Sequence, residues 1–430
     1  MSVLSPQPYK GTRDYYPEDK RIQNYIFNVW RTVVERFGYE EYGAPILEPV
    51  DIYAAKSGQE LVNDQTYVFT DRGGRNVVIR PEMTPTISRM VAARRQELAY
   101  PARLYSIANF MRYERPQRGR EREFWQLNVD VFGVDETTAD IEVITMADQI
   151  LKEFGAKPDD YVIRINNRKL INYMMAQYLG LDAVGAQQMI KLFDRRNKIT
   201  EQDFKDQAGE IFGDPNDDRI AKITPLIEAK TMADLPSELR DAGAMSELEE
   251  VFSGLEKAGV TTAVFDATLM RGFDYYTGTV FEVFDTHPDN NRSLFGGGRY
   301  DGLVALFGAE PISAVGMAPG NTMMENFLSV RGLVPAETSL TKAYVVVIDG
   351  AFDDANKVAT ELRTAGINTE IDITTRKIDK QIKTALKKNI PYLIFVGSKD
   401  AGSGTYSLKN AKTEDEKKLS IPEIITELQS

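Results

Sequence analysis

Two extended runs joined by a tight turn constrain the fold of this chain more than any other feature of its sequence. ARLYSIANFMRYERP precedes the turn at 117–119, and REREFWQLNVDVFG follows it. In the second run two sets of residues alternate, and a period of two is typical of a β-strand. One set consists of Trp125, Leu127, Val129 and Val131. The sequence therefore predicts an antiparallel pair of strands, with a second set on the other face that consists of Phe124, Gln126, Asn128 and Asp130.

Helical and β-like segments surround this pair. Apolar residues at helical spacing predict helices over 21–37, 84–98 and 138–153. QTYVFTDRGGRNVVIR has the pattern of a β-hairpin. Residues 169–258 are polar and mostly helical by pattern, and they separate two β-rich blocks. We therefore expect an inserted helical segment there.

The last ninety residues have the pattern of a separate α/β unit. AYVVVID and YLIFVG read as strands, with helices over 353–364 and 377–389 and a further strand over 368–372. This order predicts a small parallel or mixed sheet with helices on its faces. We expect a first domain over 1–330, a linker over 331–340 and a second domain over 341–430.

Composition excludes several classes of function. The chain has no cysteine, so disulfides and thiolate metal sites are excluded. Its one histidine, His287, lies in the turn-rich stretch DTHPDNNRS, which argues against a catalytic triad or a histidine metal cluster. The sequence also contains no P-loop motif. We expect no structural metal.

The charge pattern and the apolar pattern indicate the setting of the protein. The net charge of -12 argues against a surface coated by nucleic acid, but it leaves a local basic groove open. No apolar run approaches 18 residues, and the first twenty residues lack a secretory signal pattern. We expect a cytoplasmic protein without a membrane span.

The stretch MRYERPQRGREREFWQ carries five arginines in this acidic chain. An antiparallel platform with arginines on both sides of its turn can bind a polyanion. Arg112 could bind a phosphate through two parallel N–H···O hydrogen bonds from its guanidinium group. The same residues would also suit a surface hairpin with solvent-screened ion pairs. The residues of this stretch alone leave both interpretations open.

Further blocks resolve the choice, because together they resemble the histidyl-tRNA synthetase family of class II aminoacyl-tRNA ligases. In chain order the blocks are YKGTRDYYPED, APILEP, RPEMT, FMRYERPQRGREREFWQLNVDVFG, RGFDYYTGTVFEV and GGGRYDGL. The resemblance covers nearly the whole chain. It implies an α+β fold, in which an antiparallel-sheet catalytic domain with a helical insertion precedes a small α/β anticodon-binding domain.

The resemblance also implies the reaction and its partners. We expect ATP-dependent ligation of L-histidine to tRNA(His) through a histidyl-adenylate, with Mg²⁺ accompanying ATP, in a homodimer. Arg112 and Arg271 would act on the α-phosphate as catalytic residues. Arg115 and Gln117 would face the acceptor end of the tRNA. Asp130 and Tyr276 would hydrogen-bond the imidazole nitrogens.

Two sets of binding residues follow from the matched blocks. The set for the amino acid consists of Glu82, Met83, Thr84, Gln126, Asp130, Tyr275 and Tyr276. The set for ATP consists of Arg112, Arg120, Phe124, Arg271, Gly298 and Arg299.

The chain departs from the family pattern at several positions. In AVGMAPGNTMMENFL, Thr322-Met323 stands where the family has a Glu-Arg pair whose arginine contacts ATP. Methionine carries no charge for a phosphate. The candidates for the missing charge are Arg120, Arg122 and Arg299. Met83 also replaces a glycine, Tyr113 a histidine, and Asp130 a glutamate.

Two other functions stay open at this point. A synthetase-like paralogue serves as a regulatory subunit of histidine biosynthesis, but it generally lacks an intact RGxDYYTGTVFE block and the C-terminal domain. A ligase of the same class for another amino acid would carry a different tyrosine-bearing block. In the C-terminal domain, Lys380, Lys383 and Lys387 would share one helix face, which suits either solvent or RNA phosphates.

Overall fold

The computed structural model describes residues 4–54, 65–240, 243–270, 275–290, 292–336, 339–374 and 376–429, without the side chains of residues 197 and 401. The chain divides into two compact units, Met1–Val334 and Pro335–Ser430. No helix in the described ranges combines the length and apolar character that a bilayer crossing requires.

The first unit contains eleven of the described strands. They are β1 (Glu40–Glu41), β2 (Leu47–Pro49), β3 (Tyr67–Thr70), β4 (Asn76–Ile79), β5 (Ala102–Met111), β6 (Glu123–Phe132), β7 (Tyr161–Asn167), β8 (Ala263–Phe265), β9 (Thr279–Asp285), β10 (Ser293–Tyr300) and β11 (Ala314–Met317). Eight of them form one sheet in the order β1-β5-β6-β11-β10-β9-β7-β8. All of its neighbours are antiparallel except β1–β5 and β7–β8, which are parallel. The remaining strands form an antiparallel sheet in the order β2-β4-β3.

The predicted strand pair forms the long centre of the large sheet. β5 and β6 pair over ten residues, from Ala102 opposite Phe132 to Met111 opposite Glu123. Leu127, Val129 and Val131 are buried in the main apolar core, beneath the helices that cover that face. The alternation read from the sequence is therefore confirmed.

Helices cover the core side of this sheet and fill the segment between β7 and β8. The described helices of the first unit are α1 (Pro17–Arg36), α2 (Asp51–Ala54), α3 (Thr84–Ala93), α4 (Thr138–Glu153), α5 (Arg168–Tyr173), α6 (Ala183–Arg195), α7 (Glu201–Phe212), α8 (Arg219–Glu228), α9 (Ser237–Arg240), α10 (Ala244–Lys257) and α11 (Asn321–Val330). α1 starts earlier than predicted because Pro17 suits the first helical position and two acidic residues favour the first turn. α3 ends five residues before the predicted end, in a turn.

The inserted helices begin at polar caps. The side chain of Asn167 accepts a hydrogen bond from the backbone N–H of Lys169, and Asp182 caps α6 in the same way. Thr200 caps α7 through the N–H of Asp203. These caps replace backbone partners that a first helical turn lacks. The predicted helical character of this segment is confirmed.

The second unit is a mixed five-stranded sheet with helices on its faces. Its strands are β12 (Ala343–Val347), β13 (Thr369–Ile371), β14 (Tyr392–Val396), β15 (Thr405–Asn410) and β16 (Glu416–Ser420), in the order β13-β12-β14-β15-β16. β13, β12 and β14 pair in parallel. β15 pairs antiparallel with β14, and β16 pairs antiparallel with β15. Its described helices are α12 (Phe352–Thr364), α13 (Ile378–Lys387), α14 (Ser398–Ser403) and α15 (Ile421–Gln429). Val345 and Tyr344 are buried in two different apolar clusters, so both faces of β12 are covered.

Candidate active site

A cleft of about 650 Å³ opens in the first unit on the face of the large sheet opposite the main core. Residues of β6, β9, β10 and β11 line it, together with the start of α3 and the loop that joins β5 to β6. Its volume is in the range of small-molecule sites.

The floor of the cleft carries the polar face predicted for β6. Phe124, Gln126, Asn128 and Asp130 all line the cleft. Their neighbours in sequence point to the core, because successive side chains of a strand alternate between its faces. The predicted juxtaposition of these four residues is therefore found.

Asp130 is the buried acid of this floor, with 4% of its surface exposed. The hydroxyl of Tyr300, on β10, donates a hydrogen bond of 2.5 Å to Oδ1 of Asp130. Burial raises the pKa of Asp130 to about 7, although the hydrogen bond from Tyr300 acts in the opposite direction. Across the floor, a Cβ on Gly316 would overlap the Asp130 carboxylate, so this neighbour must be glycine.

Tyr300 carries no role in our sequence interpretation, although it lies in the block GGGRYDG. A signal for it exists in the sequence. Since β10 alternates like β6, Tyr300 falls on the same face as Gly296 and Gly298. The glycines hide this period, because they contribute no side chains to the pattern.

A second buried carboxylate faces two tyrosines. The hydroxyl of Tyr275 donates to Oε2 of Glu82 over 3.1 Å, and the rings of Tyr275 and Tyr276 lie 5.1 Å apart. Burial raises the pKa of both tyrosines, which keeps them as neutral phenols. Glu82, Thr84 and both tyrosines line the cleft. Four residues predicted from distant blocks to bind the amino acid thus meet Asp130 and Gln126 in one cavity.

Arg112 lies at the end of β5 in the same cleft. Its Nε donates to the carbonyl of Pro81 over 2.9 Å, and its guanidinium lies 5.3 Å from the centre of the Phe124 ring. These contacts fix the position of the Arg112 guanidinium group, and the side chain still lines the cleft. The RPEMT block and the start of the arginine-rich stretch are therefore joined by a hydrogen bond from Arg112 to Pro81.

The loop between β5 and β6 brings Gln117 and Arg120 into the cleft. Their backbones exchange hydrogen bonds of 3.1 and 2.8 Å around a turn in which Gly119 has a φ of 77°. The guanidinium of Arg120 lies 3.5 Å from the carboxylate of Glu114. Arg115 is exposed and does not line the cleft.

Besides Arg115, three described residues of the predicted sites are not found in the cleft lining: Met83, Gly298 and Arg299. Arg271 lies outside the described residues. Met83 is buried beside Ala108 and Phe110 in a separate small cluster. Gly298 is close to the site, because a Cβ there would approach Tyr276 to 3.0 Å, so the glycine leaves room for that ring.

Arg299 points away from the cleft. Its guanidinium bonds the buried carboxylate of Asp140 on α4, with an Nη2–Oδ2 distance of 2.5 Å, and the carbonyls of Val134 and Glu136. The reason is strand alternation, since Arg299 follows Gly298 and precedes Tyr300 on β10. The structure therefore places the Arg299 side chain away from the cleft in which ATP is expected to bind.

The segment that lacks the family's Glu-Arg pair also borders the cleft. Thr322 and Met323, in the first turn of α11, line it. The sulfur of Met323 lies 2.4 Å from the position that a Cβ on Gly119 would take, which is too close for both atoms. Of the three candidates for the missing charge, Arg122 bonds the Glu114 carbonyl and stacks 4.0 Å over Tyr113. Arg120 is the candidate that lines the cleft.

Comparison with known proteins agrees with this geometry. The family model described as "Histidyl-tRNA synthetase" matches residues 11–320. The chain belongs to the histidyl-tRNA synthetase family. The model described as "Anticodon binding domain" matches residues 342–430, so the family resemblance extends through the second unit.

Relatives in the histidyl-tRNA synthetase family cover nearly the whole chain. The "Histidine--tRNA ligase" of Leptospira biflexa serovar Patoc is 38% identical over 430 residues, which are 99% of this chain and 98% of that protein. The protein of the same name from Haloarcula marismortui is 36% identical over 418 residues, with coverage of 96% and 95%. The crystal structure of histidyl-tRNA synthetase from Nostoc sp. PCC 7120 superposes with a TM-score of 0.84 at 24% identity and covers 99% of both chains. The expected fold class is confirmed.

Proposed function

We propose that this chain ligates L-histidine to tRNA(His) in two steps that consume ATP. In the first step the histidine carboxylate attacks the α-phosphorus of ATP, and pyrophosphate leaves. In the second step the aminoacyl group passes from the adenylate to a hydroxyl of the 3′-terminal ribose, and AMP leaves. Membership of the family over both units supports this function.

The observation that carries the proposal is the buried slot between Asp130 and the tyrosine pair. An imidazole ring has two nitrogens, and at least one of them is a donor. The Asp130 carboxylate accepts from the donor nitrogen, and the Tyr276 hydroxyl bonds the other. Asp130 is buried and Tyr276 half-buried, so a side chain without matching polar atoms would leave hydrogen-bonding positions on both groups unfilled, which costs free energy.

The α-amino group of histidine is an ammonium and needs acceptors. Glu82 supplies a carboxylate, Thr84 a hydroxyl and Gln126 a side-chain carbonyl. Tyr275 positions Glu82 through its hydrogen bond of 3.1 Å. This arrangement directs the substrate carboxylate toward Arg112.

Arg112 binds the α-phosphate with its guanidinium fork, and Arg271 stabilises the charge that develops there. Phosphoryl-type transfer depends mainly on positioning and on positive charge at the reacting group. Phe124 supports the nucleotide through its ring. Arg120 supplies the charge that the segment at Thr322 and Met323 lacks.

Mg²⁺ enters this reaction with ATP as part of the substrate. In the described ranges no group of three or more His, Asp or Glu side chains could hold a metal ion. Mg²⁺ usually binds substrate phosphates, water and only one or two protein carboxylates. The carboxylates of Glu121 and Glu282 line the cleft and have the required chemistry.

We propose a cytoplasmic homodimer that pairs through the segment around APILEP. Ile46 and Leu47 in that segment are 42% and 43% exposed, and Phe69 on β3, which shares a face of the three-stranded sheet with Leu47, is 45% exposed. Such a group of exposed apolar side chains marks an interaction surface. A second copy of the chain would cover it.

The second unit would bind the anticodon of the tRNA. Lys380, Lys383 and Lys387 are exposed on α13, while Gln381 and Ala385 are buried beneath them. The three ammonium groups thus share a solvent-facing surface. They would pair with RNA phosphates.

Isotope exchange between ATP and pyrophosphate, measured with each amino acid in turn, tests the function. We expect exchange with histidine and not with the others. Exchange with a different amino acid would assign another ligase. Silence with every amino acid would favour the regulatory protein and overturn the proposal.

A further inference from the structure

Residues 9–15 contact two elements of the active-site cleft at once. One is the loop between β5 and β6, where the backbone N–H of Arg122 donates to the carbonyl of Gly11 over 2.7 Å. The other is α11, where Nδ2 of Asn321 donates to the hydroxyl of Tyr15 over 3.2 Å. We call residues 9–15 the strap. The sequence interpretation assigns the strap no role in either substrate site.

Arg13 in the strap forms a bidentate ion pair with α11. Its two Nη atoms donate to the two carboxylate oxygens of Glu325 over 3.1 and 2.6 Å. The two side chains are only 30% and 21% exposed. A bidentate pair of this kind fixes direction as well as distance. The guanidinium carbon also lies 4.3 Å from the centre of the Tyr15 ring, which restricts the side chain further.

The same guanidinium group reaches the loop between β5 and β6. Nε of Arg13 lies 3.6 Å from Oε1 of Glu121. Glu121 lines the cleft, whereas Arg13 and Glu325 do not. Arg13 therefore joins α11 to the loop from outside the cleft. These are the same two elements that touch each other where Met323 lies against Gly119.

Both elements line the part of the cleft that we assign to ATP. The loop carries Arg120, and the first turn of α11 carries Thr322 and Met323. A misplacement of about 1 Å can cost about 100-fold in rate, even when its cause lies far from the reacting atoms. The spacing between the loop and α11 therefore affects the nucleotide, although Arg13 does not line the cleft.

We propose that Arg13 is a positioning residue for ATP. Through its pair with Glu325 it holds α11 against the loop between β5 and β6, and it thereby sets the width of the nucleotide part of the cleft. This inference rests on the proposed function, which brings ATP to this cleft. It adds a residue pair that acts on the nucleotide without touching it.

Substitutions on the two sides of the pair separate position from charge. Arg13→Met removes the pair and leaves the carboxylates of Glu121 and Glu325 without their shared cation. Glu325→Met also removes the pair, but it takes a negative charge away. If Arg13 acted on ATP only by offsetting carboxylate charge, Glu325→Met would leave ATP binding unchanged or strengthen it. Because positioning needs both partners, we expect both variants to weaken ATP binding.

The binding of ATP is measured at equilibrium without an amino acid, so the result does not depend on which amino acid the protein activates. We expect the Kd for ATP to rise about tenfold in each single variant, as for the loss of a hydrogen bond to a charged group. The double variant R13M/E325M should show no further rise, because residues in direct contact have non-additive effects. In exchange, the KM for histidine should stay within about twofold, since that substrate binds elsewhere in the cleft.

Arg36 and Glu153 provide the matched control. Their hydrogen bonds of 2.7 and 3.1 Å join α1 to α4 in the same bidentate way, outside the cleft. The Kd for ATP should be unchanged in Arg36→Met and Glu153→Met. Urea unfolding of each variant reports any loss of stability separately.

Three results would overturn the inference. One is an unchanged Kd for ATP in Arg13→Met with shifted unfolding, which would make the pair purely structural. Another is weaker binding in Arg13→Met but not in Glu325→Met, which would assign the effect to charge. If Arg13→Met does not fold, Arg13→Lys replaces it, because lysine keeps the charge but loses the second hydrogen bond. An unchanged Kd for ATP in Arg13→Lys is then the third.

Failure of the proposed function gives a different pattern. If the unchanged protein binds ATP but shows no histidine-dependent exchange, the proposed function is wrong, and the Kd values still decide the role of Arg13. If the unchanged protein binds no ATP, both are wrong.

Discussion

Tyr300 and Asp130 lie 170 residues apart in the chain, and the Tyr300 hydroxyl is 2.5 Å from the Asp130 carboxylate. The two residues belong to β10 and β6, with β11 between them. Gly316 on β11 leaves the space in which the carboxylate lies. This buried pair forms the floor of the slot that we assign to the imidazole ring.

Asp130→Asn should weaken histidine binding. The amide keeps the shape of the acid but loses its negative charge, and a hydrogen bond to a charged group contributes about 1.5–3 kcal/mol. We expect the KM for histidine in exchange to rise about 10- to 100-fold while the KM for ATP stays within twofold. Asp135→Asn, at an exposed carboxylate outside the cleft, is the control. An unchanged KM for histidine in Asp130→Asn would show that Asp130 does not bind the histidine side chain.

The same substitution should change how stability depends on pH. Burial raises the pKa of Asp130 from its ordinary value of 3.8 to about 7. Between these values the folded protein keeps a proton that the unfolded chain has lost, so the free energy of unfolding decreases as pH rises through this window. The unfolding temperature of Asp130→Asn, relative to the unchanged protein, should therefore increase from pH 4 to pH 7 and then level off. A constant difference over that range would mean that Asp130 is ionised throughout.

Arg112→Lys should slow the activation of histidine. Lysine keeps the charge but loses the planar fork, and removing one group that stabilises transition-state charge costs about 100- to 1000-fold in kcat. Arg103→Lys is the control, because Arg103 lies on the same strand and pairs with Glu142 outside the cleft. A kcat for exchange that is equal in the two variants would contradict the role of Arg112.

Gly119→Ala should damage the loop for two separable reasons. Gly119 has a φ of 77°, which costs alanine about 1 kcal/mol, and the new Cβ would overlap the sulfur of Met323. We expect the KM for ATP to rise about tenfold in Gly119→Ala and to recover partly when Met323→Ala is added. No recovery in the double variant would show that Met323 does not restrict the loop.

Arg299→Leu should affect stability and not ATP binding. The change leaves the carboxylate of Asp140 buried without its cation, and breaking a buried pair in this way costs about 3–5 kcal/mol. Urea unfolding should shift accordingly, while the KM for ATP of the folded protein stays unchanged. Arg94→Leu, in an exposed pair with Glu97, should shift unfolding little. A raised KM for ATP at unchanged stability would instead show that Arg299 contributes to ATP binding.

Much of the local structure follows from the sequence. Helix α4 has the predicted bounds, Thr138–Glu153, because Val143, Ala147 and Ile150 recur on one buried face. The alternation in β6 likewise predicts which side chains share the cleft. In both cases a single period repeats over at least ten residues, so one interruption does not change the result.

Other features depend on contacts that a single segment does not contain. The sequence prediction contains neither β15 nor β16; for β16 the reason is that residues such as Lys417 and Lys418 give it no apolar alternation. The partnership of Tyr300 with Asp130 depends on the order of strands in the sheet. The orientation of Arg299 was missed because three preceding glycines conceal the period of β10.

The role of Met323 shows where family resemblance and geometry give different information. The resemblance predicts that an arginine is missing at this position. The structure places the methionine sulfur against the loop that contains Gly119, and Arg120 of that loop lines the cleft. Met323 therefore packs against the loop whose Arg120 lines the cleft, a contact that the sequence alone does not show.

A crystal structure with a non-hydrolysable histidyl-adenylate analogue tests the central claim most directly. The account predicts that the guanidinium groups of Arg112 and Arg271 both lie about 2.7–3.2 Å from oxygens of the same phosphate. It also predicts that the imidazole nitrogens bond Asp130 and Tyr276. An analogue bound with either arginine away from its phosphate, or with its imidazole outside the slot between Asp130 and Tyr276, would contradict the account.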